Sequence, residues 1–271
     1  LVTEKEKQLS RYIPMAHDLT AEADSGGHTD NRPALTLLPT ILALKAELAA
    51  KYQYSDPLCV GLAGGISTPQ AAAAAFQMGA AYILTGSVNQ SCVEADISRD
   101  VKQMLVQAQQ ADVAMAPSAD MFEIGARVQV LKRGTMFPLK AEKLYSHYRR
   151  YERYEDIPEK ERQHIEQKIL MSDFETEWQR TREFFTSRGR TKEIEKAQSD
   201  PRHKMALVFR SYLGLASKWA VQGEASRKMD YQIWCGPAMG AFNQWVKGTF
   251  LEAHENRKVT QIAFNILFGA A

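Results

Sequence analysis

Two short apolar runs, each ended by a glycine turn and followed by a helical run, constrain the fold of this chain most. The run Pro57–Ala63 is apolar on both faces, as a buried parallel strand is, and it ends at Gly64-Gly65. Thr68-Pro69 then starts a helix, because a capping residue is followed by proline at the first helical position. The run Ala80–Leu84 is the next strand and ends at Thr85-Gly86-Ser87. Strands that alternate with helices predict βα units and a parallel sheet.

The same alternation extends over the first part of the chain, residues 1–112. His17–Glu22 is predicted as a strand that leads into Gly26-Gly27-His28, and Ala34–Tyr52 as a helix with leucines near 3.6-residue spacing. Glu94–Gln109 is predicted as a further helix. Residues 113–271 lack the alternation and contain a long stretch in which charges of both signs are dense and balanced. Such balance predicts exposed helices joined by ion pairs, so this second part is expected to be mostly helical.

Composition argues against several classes of protein. Lys and Arg number 34 and Asp and Glu 32, and the resulting net charge of +2 argues against a nucleic-acid-binding or polybasic membrane protein. No apolar run reaches the length of a membrane span, and the charged first residues are unlike a signal peptide. The cysteines Cys59, Cys92 and Cys235 form no Cys-x-x-Cys pair, which predicts a reduced, cytoplasmic chain. No histidines have metal-ligand spacing, so no metal site is expected.

The two glycine turns are candidates for holding a phosphate group. A glycine pair directly after a buried strand presents backbone N–H groups to an anion, and in (β/α)₈ barrels a phosphate commonly binds at two consecutive turns of this kind. The residues concerned are Gly64 and Gly65 in the first turn and Gly86 and Ser87 in the second. The alternative is that these glycines merely end the strands. Neither turn matches the dinucleotide or P-loop fingerprint.

His28 is the candidate for proton chemistry. It follows Gly26-Gly27 at the carboxyl end of a predicted strand, where barrel enzymes carry catalytic groups. An imidazole there can act as acid, base or hydrogen-bond donor. A loop histidine hydrogen-bonded to its neighbours is the alternative that the residues leave open. The other histidines considered are expected at the solvated surface: His147, His164, His203 and His254.

Several motifs resemble a known family. The segments Glu22–His28, Gly61–Ile66 and Gly79–Ser87 are similar to the second half of flavoproteins related to nitronate monooxygenase. More closely, Asp24–Pro33 and Thr85–Gln90 resemble the PfaD-type branch. That branch supplies the enoyl reductase of polyunsaturated fatty acid synthases and of polyketide synthases with separate acyltransferases. Phe122–Pro138 and Trp234–Gly240 are similar to its C-terminal extension, so the resemblance covers nearly the whole chain.

The resemblance implies an α/β fold. Residues 1–112 would be the C-terminal βα units of an FMN-binding TIM (β/α)₈ barrel, and residues 113–271 a helical insertion or extension that caps it. Three convincing strands are fewer than eight, so the chain is expected to be the C-terminal half of the enzyme, starting near the fifth barrel helix. The implied FMN contacts are Gly26, Gly27, Ala63, Gly64, Gly65, Thr85, Gly86 and Ser87. His28 would lie beside the flavin ring.

The implied activity is reduction of the double bond of a carrier-bound 2-enoyl thioester. NADPH reduces the flavin, the flavin N5 delivers hydride to the β-carbon, and a proton reaches the α-carbon. In the monooxygenases the histidine at the position of His28 is the base that deprotonates the nitroalkane, whereas in the reductases it would orient or protonate the thioester. The partner would be the acyl carrier protein domain of a synthase, and a homodimer is compatible with the resemblance.

Three questions stay open at this point. A nitronate monooxygenase, which oxidises alkyl nitronates with FMN and O₂, is the alternative enzyme. A non-catalytic half-barrel that serves as a scaffold within a synthase is the alternative outside the enzymes. A basic cluster is a candidate contact for an acidic carrier, although ion pairs with Glu142, Glu152 and Glu155 explain it equally well: Lys143, Arg149, Arg150 and Arg153.

Overall fold

The computed structural model describes residues 2–271 and divides the chain into two compact units. Unit 1 contains the described part of Leu1–Ala95 together with Leu105–Asp112 and Cys235–Ala271, and unit 2 contains Asp96–Met104 and Val113–Trp234. These limits differ from the division predicted after residue 112, because the C-terminal helix Val259–Ala270 packs against the helix Pro69–Gln77. The packing is tight: a Cβ atom at Gly269 would lie 2.8 Å from Pro69 Cγ.

The elements of unit 1 follow the predicted alternation. In chain order they are α1 (Glu4–Leu9), β1 (Asp18–Glu22), β2 (Gly27–His28), α2 (Ala34–Tyr52), β3 (Cys59–Ala63), α3 (Pro69–Gln77), β4 (Ile83–Leu84) and α4 (Ser87–Gln90). Helix α2 has the predicted bounds, and the Thr68 hydroxyl accepts a hydrogen bond from Ala71 N at 3.3 Å, as expected of the residue that caps α3. Strand β4 is shorter than predicted, because Ala80 N instead donates to Ala75 O at the end of α3.

A parallel sheet in the order β1-β3-β4 forms the centre of unit 1. In the β1–β3 register Glu22 lies beside Ala63, and in the β3–β4 register Ala63 lies beside Leu84. The sheet and α2 enclose a core of small and aliphatic side chains, which includes Ala21, Leu38, Val60, Leu62 and Ala75. The three parallel strands do not by themselves close into a barrel, so the barrel stays a prediction.

Unit 2 is mostly helical, as predicted. The next elements in chain order are α5 (Arg99–Val106), whose last residues belong to unit 1, β5 (Val113–Pro117), β6 (Arg127–Leu131), α6 (Phe137–Arg150), α7 (Glu159–His164), a π-helix (Ile165–Leu170), α8 (Phe174–Ser187), α9 (Thr191–Ser199) and α10 (Pro201–Gln222). The long helix α10 packs against α6, α8 and α9 around an apolar core. The chain ends with α11 (Ala238–Trp245) and α12 (Val259–Ala270) in unit 1.

Two elements differ from the sequence predictions. The helix predicted over Glu94–Gln109 covers only Arg99–Val106, because Val93 N and the Glu94 carboxylate form hydrogen bonds with Arg257 and Val259 instead. The strands β5 and β6 were not predicted, and they pair antiparallel within the part expected to be helical. The mixed α/β class with a mostly helical second part is otherwise confirmed. Within residues 2–271, no helix combines the length and the apolar character needed to cross a bilayer.

Candidate functional site

The carboxyl ends of β1, β3 and β4 meet at one edge of the sheet, and a pocket of about 300 Å³ lies at that edge. Because parallel strands run in the same direction, the turns that follow them converge there. The pocket is lined by residues of these turns and by the first residue of α11: Thr20, Glu22, Ser25, Gly26, Ala63, Gly64, Gly65, Ile66, Leu84, Thr85, Gly86, Ser87 and Ala238. Most of the predicted cofactor contacts are therefore brought together.

The first glycine turn, Gly64-Gly65, follows β3, and both residues adopt left-handed backbone angles. Their φ angles are +84° and +77°, a region that glycine enters without steric cost. Gly64 also lies against the backbone that follows β1, since a Cβ atom there would be 2.6 Å from the carbonyl carbon and oxygen of Ala23. A Cβ atom at Gly65 would meet nothing within 4 Å. Gly64 therefore serves close packing, whereas Gly65 leaves open space beside the pocket.

Replacing Gly64 by alanine is expected to lower the free energy of unfolding by about 2–4 kcal/mol, because left-handed strain and a backbone clash add together. Gly65→Ala is the matched control: it has the same strain without the clash and is expected to cost about 1–2 kcal/mol. Urea denaturation of the intact protein measures both changes. Equal losses in the two variants would contradict the assignment of a packing role to Gly64.

The second glycine turn, Thr85-Gly86-Ser87, follows β4 and leads into α4. A Cβ atom at Gly86 would meet nothing within 4 Å, and the φ angle of Gly86 is −114°. The Thr85 hydroxyl donates to Asn89 Oδ1 at 3.0 Å, and Asn89 Nδ2 donates to the Thr85 carbonyl at 2.9 Å. Among residues 2–271, the backbone N–H groups of Gly65 and Gly86 donate no hydrogen bond. Both turns thus combine open space with free donors at the pocket.

A third segment reaches the pocket from the end of the chain. Gly236 N donates to the Ser87 hydroxyl at 2.9 Å, and a Cβ atom at Gly26 would lie 2.7 Å from Gly236 N. Gly240 packs equally closely, since a Cβ atom there would overlap the backbone of Gln110. The motif Trp234–Gly240, which the sequence analysis placed only in the C-terminal extension, therefore brings Ala238 to the pocket. Sequence reasoning missed this contact because it depends on chain segments far apart in sequence.

His28 and Gly27 lie outside the lining of the pocket. They form β2, directly after the lining residue Gly26, and His28 is half-buried. Hydrogen bonds join the segment before β2 to the segment after it: Asn31 Nδ2 donates to Asp24 Oδ1 at 2.7 Å, and Asp24 N donates to the Arg32 carbonyl at 3.0 Å. The roles of His28 in proton transfer and of Gly27 in cofactor binding stay predictions.

Glu22 is the acidic residue that sequence reasoning missed. It is the last residue of β1 and lines the pocket, and Ser25 Oγ donates to its Oε1 atom at 2.8 Å. An ionised carboxylate only accepts hydrogen bonds, so Glu22 favours hydroxyl or amide groups of a ligand over further anions. Its position at the carboxyl end of a predicted strand was the available signal, because functional side chains concentrate there.

The histidine predictions for the second part need correction at three positions, since the side chains of His147 and His254 are only 14% and 17% exposed. His203 was expected at the surface, but only 3% of it is exposed. Its Nδ1 atom lies 2.9 Å from Glu123 Oε1 and its Nε2 atom 3.0 Å from Glu193 Oε2. Burial is tolerated because the two carboxylates satisfy both ring nitrogens. His164 is exposed, as predicted.

Two other groups of candidate residues are less suited to chemistry. Cys235 is fully buried, and burial raises the pKa of its thiol to about 12, so it stays protonated and unreactive at neutral pH. In the basic cluster, Lys143 pairs with Glu161 at 2.8 Å and Arg153 approaches Glu155 at 3.8 Å. Of the three predicted partners only Glu155 pairs within the cluster, because Glu142 pairs with Arg127 and Glu152 with Arg202. Carrier contact by the cluster stays a prediction.

Comparison with known proteins gives close relatives over the full chain. A polyunsaturated fatty acid synthase subunit of Thraustochytrium sp. is 46% identical over 275 residues, which are 99% of this chain and 18% of that protein. The polyketide biosynthesis protein PksE of Bacillus subtilis is 47% identical over 266 residues, which are 98% of this chain and 34% of that protein. The chain therefore spans about a third or less of the length of these relatives.

Solved structures agree with the sequence comparison. The enoyl reductase domain of MlnA, from the macrolactin biosynthesis cluster of Bacillus amyloliquefaciens, superposes with a TM-score of 0.91 at 38% identity. The superposition covers all of this chain and 60% of that one. FabK of Thermotoga maritima superposes with a TM-score of 0.51 at 18% identity, over all of this chain and 59% of that one, which shows a likeness of fold alone.

One part of unit 2 matches a family model by itself. Residues 151–231 match the inserted helical domain of acyl-carrier-protein S-malonyltransferase. The match covers only part of the chain, so the role of the second part as an insertion or extension of a barrel stays a prediction. The relatives and the MlnA domain described above confirm the resemblance inferred from the motifs: the chain is a relative of a segment of PfaD-type enoyl reductases of polyunsaturated fatty acid and polyketide synthases.

Proposed function

We propose that this chain provides the FMN phosphate site of an enoyl reductase that acts in polyunsaturated fatty acid or polyketide biosynthesis. The substrate would be a 2-enoyl thioester on an acyl carrier protein domain of the synthase, with NADPH as hydride donor. The strands β1, β3 and β4 would be the C-terminal βα units of a (β/α)₈ barrel. The pocket walled by two open glycine turns is the observation that carries this proposal.

The residues of the pocket fit a phosphate group. Gly65 and Gly86 both line the pocket, and at each of them a Cβ atom would occupy space that is open. Their N–H groups, free of partners within residues 2–271, are the donors that a phosphate oxygen requires. A larger residue at either position would fill the space through which an anion approaches the backbone. Beyond ending the strands, the two glycines would therefore allow a phosphate group to approach the backbone.

When bound, FMN would supply the transfer of hydride from NADPH to the β-carbon of the enoyl thioester. The chain's own residues would position the cofactor and protonate the substrate. Gly65 and Gly86 would bind phosphate oxygens, Glu22 would accept a hydrogen bond from a hydroxyl of the cofactor, and Ser87 would keep its bond from Gly236 N. His28 would give a proton to the α-carbon or donate a hydrogen bond to the thioester oxygen.

Similarity over the full chain to the MlnA enoyl reductase domain supports reduction over nitronate oxidation. The monooxygenase alternative rests on the Gly26-Gly27-His28 motif alone, whereas the likeness to that domain extends over the whole chain. PksE and the Thraustochytrium protein support a place in polyketide or polyunsaturated fatty acid synthesis. The scaffold alternative has no support in the pocket, since a purely structural unit needs no open glycine turns.

Anaerobic spectroscopy of the intact protein tests the proposal. We expect purified protein to absorb at about 450 nm, as oxidised flavin does. NADPH should remove this absorbance, and a 2-butenoyl thioester of the carrier should then restore it. Colourless protein that takes up no added FMN would exclude both enzymatic functions. Loss of absorbance with an alkyl nitronate but not with NADPH would favour the monooxygenase.

A further inference from the structure

We propose that Asn89 and Arg257 are positioning residues that hold the second glycine turn, Thr85-Gly86-Ser87, in the geometry that selects a phosphate-bearing flavin. This inference rests on the proposed FMN site and adds two residues that the motifs did not indicate. Neither side chain lines the pocket. Both would act through the backbone that precedes and follows Gly86, and Arg257 would act also through its positive charge.

Asn89 fixes the beginning of the turn. Its side chain accepts from the Thr85 hydroxyl at 3.0 Å and donates to the Thr85 carbonyl at 2.9 Å, so both polar groups of Thr85 are directed at one amide. The Asn89 backbone N also donates to the Gly86 carbonyl at 3.0 Å. One residue therefore restrains two consecutive peptide units of a turn that glycine would otherwise leave free to move.

Arg257 fixes the end of α4, the short helix that the turn begins. Only 1% of Arg257 is exposed. Its Nη1 atom donates to Ser91 Oγ at 3.3 Å, and Ser91 Oγ in turn donates to the Val88 carbonyl at 2.8 Å. The Arg257 carbonyl accepts from Val93 N at 2.9 Å, so the same residue restrains the chain on both sides of Cys92.

The charge of Arg257 is the unusual feature. Its other donors, Nε and Nη2, bond to the carbonyl oxygens of Leu251 and Glu252 at 2.9 and 3.3 Å, so none of its three acceptors is a carboxylate. The Glu252 carboxylate instead accepts from Gly248 N at 2.8 Å. Burial lowers the pKa of Arg257 to about 10, which leaves the guanidinium charged at neutral pH. The Glu252 carboxylate and the Phe242 ring, whose centroid lies 5.1 Å from the guanidinium carbon, stabilise this charge in part. A phosphate dianion bound in unit 1 would stabilise it further.

The consequence is a preference for FMN over riboflavin, which differs from FMN only in lacking the phosphate. Binding of both flavins to the intact apoprotein can be followed by quenching of flavin fluorescence, without any turnover. Arg257→Met and Asn89→Ala should each weaken FMN binding by about tenfold, the scale of one charge-assisted hydrogen bond, and change riboflavin binding by less than about twofold. Arg257→Lys, which keeps the charge, should recover most of the preference.

Lys258→Met is the matched control, because it removes a neighbouring positive charge that is exposed and should leave both affinities unchanged. Equal weakening of FMN and riboflavin in the Arg257 and Asn89 variants would mean that these residues only support the fold, and it would overturn the inference. If Arg257→Met fails to fold, the FMN and riboflavin affinities of Asn89→Ala and Arg257→Lys test the inference in its place. A wild-type protein that binds neither flavin would overturn the proposed function itself. If the wild type prefers FMN and every variant keeps that preference, only this inference is overturned.

Discussion

Replacing Gly86 by valine is expected to remove most of the bound FMN while leaving the protein folded. At Gly86 the φ angle of −114° lies outside the left-handed region, and a Cβ atom would meet nothing within 4 Å, so the substitution causes no clash with neighbouring atoms. The valine side chain would instead occupy the space beside the free N–H group and keep a phosphate from it. We expect FMN affinity to fall by about a hundredfold or more, as when two or more charge-assisted hydrogen bonds are lost.

The measurement is the ratio of flavin to protein after desalting, followed by titration of the apoprotein with FMN. Gly214→Ala provides a control for substitution itself, because a Cβ atom at Gly214 in α10 also meets nothing within 4 Å but Gly214 does not line the pocket. Gly65→Val is a weaker test, since its φ angle of +77° adds strain unrelated to the phosphate. Normal flavin stoichiometry in Gly86→Val would refute the phosphate assignment.

The site could be predicted in part because its main residues obey a local rule. A buried strand, a glycine turn and a helix start lie within about a dozen residues of one another, and this pattern alone located Gly64, Gly65 and Gly86. The same local regularity explains why the bounds of α2 were predicted correctly. Parallel pairing of β1, β3 and β4 then follows from the alternation, and it brings the turns to one edge.

What could not be predicted depends on contacts between distant segments. Ala238 reaches the pocket only because Gly26 and Gly240 allow the backbone of the C-terminal segment to approach closely, and a glycine in a sequence does not identify the segment that will pack against it. Burial of His203 likewise requires Glu123 and Glu193, 80 and 10 residues away. A histidine in a charged stretch therefore gives no sign of whether acidic partners will surround it.

The hairpin of β5 and β6 was missed for a different reason. Arg127–Leu131 alternates polar and apolar residues at its start, which is a strand signal, and Val128, Val130 and Leu131 are buried. The dense, balanced charge of the second part indicates helices on average. The local period of two at Arg127–Leu131 decides the structure there, because it places Val128 and Val130 on the buried face of the hairpin.

His28→Ala is expected to slow reduction of the carrier-bound enoyl thioester by about a hundredfold or more, the usual contribution of a general acid. The effect should fall on kcat, because His28 lies outside the lining of the pocket and the cofactor contacts would remain. Flavin content should therefore change little. Rapid-mixing measurements of flavin reoxidation by a 2-butenoyl thioester isolate the step that needs the proton.

His28→Gln separates the two roles that the residue can have. Glutamine keeps a hydrogen-bond donor but cannot release a proton near neutrality, so partial recovery in this variant would indicate that His28 orients the thioester oxygen. Activity as low as that of His28→Ala, together with loss of the pH dependence of kcat, would indicate proton donation to the α-carbon. Turnover unchanged in both variants would reduce His28 to a loop residue. The proton would then come from solvent or from another side chain, and Glu22, which ends β1 inside the pocket, would be the next residue to replace.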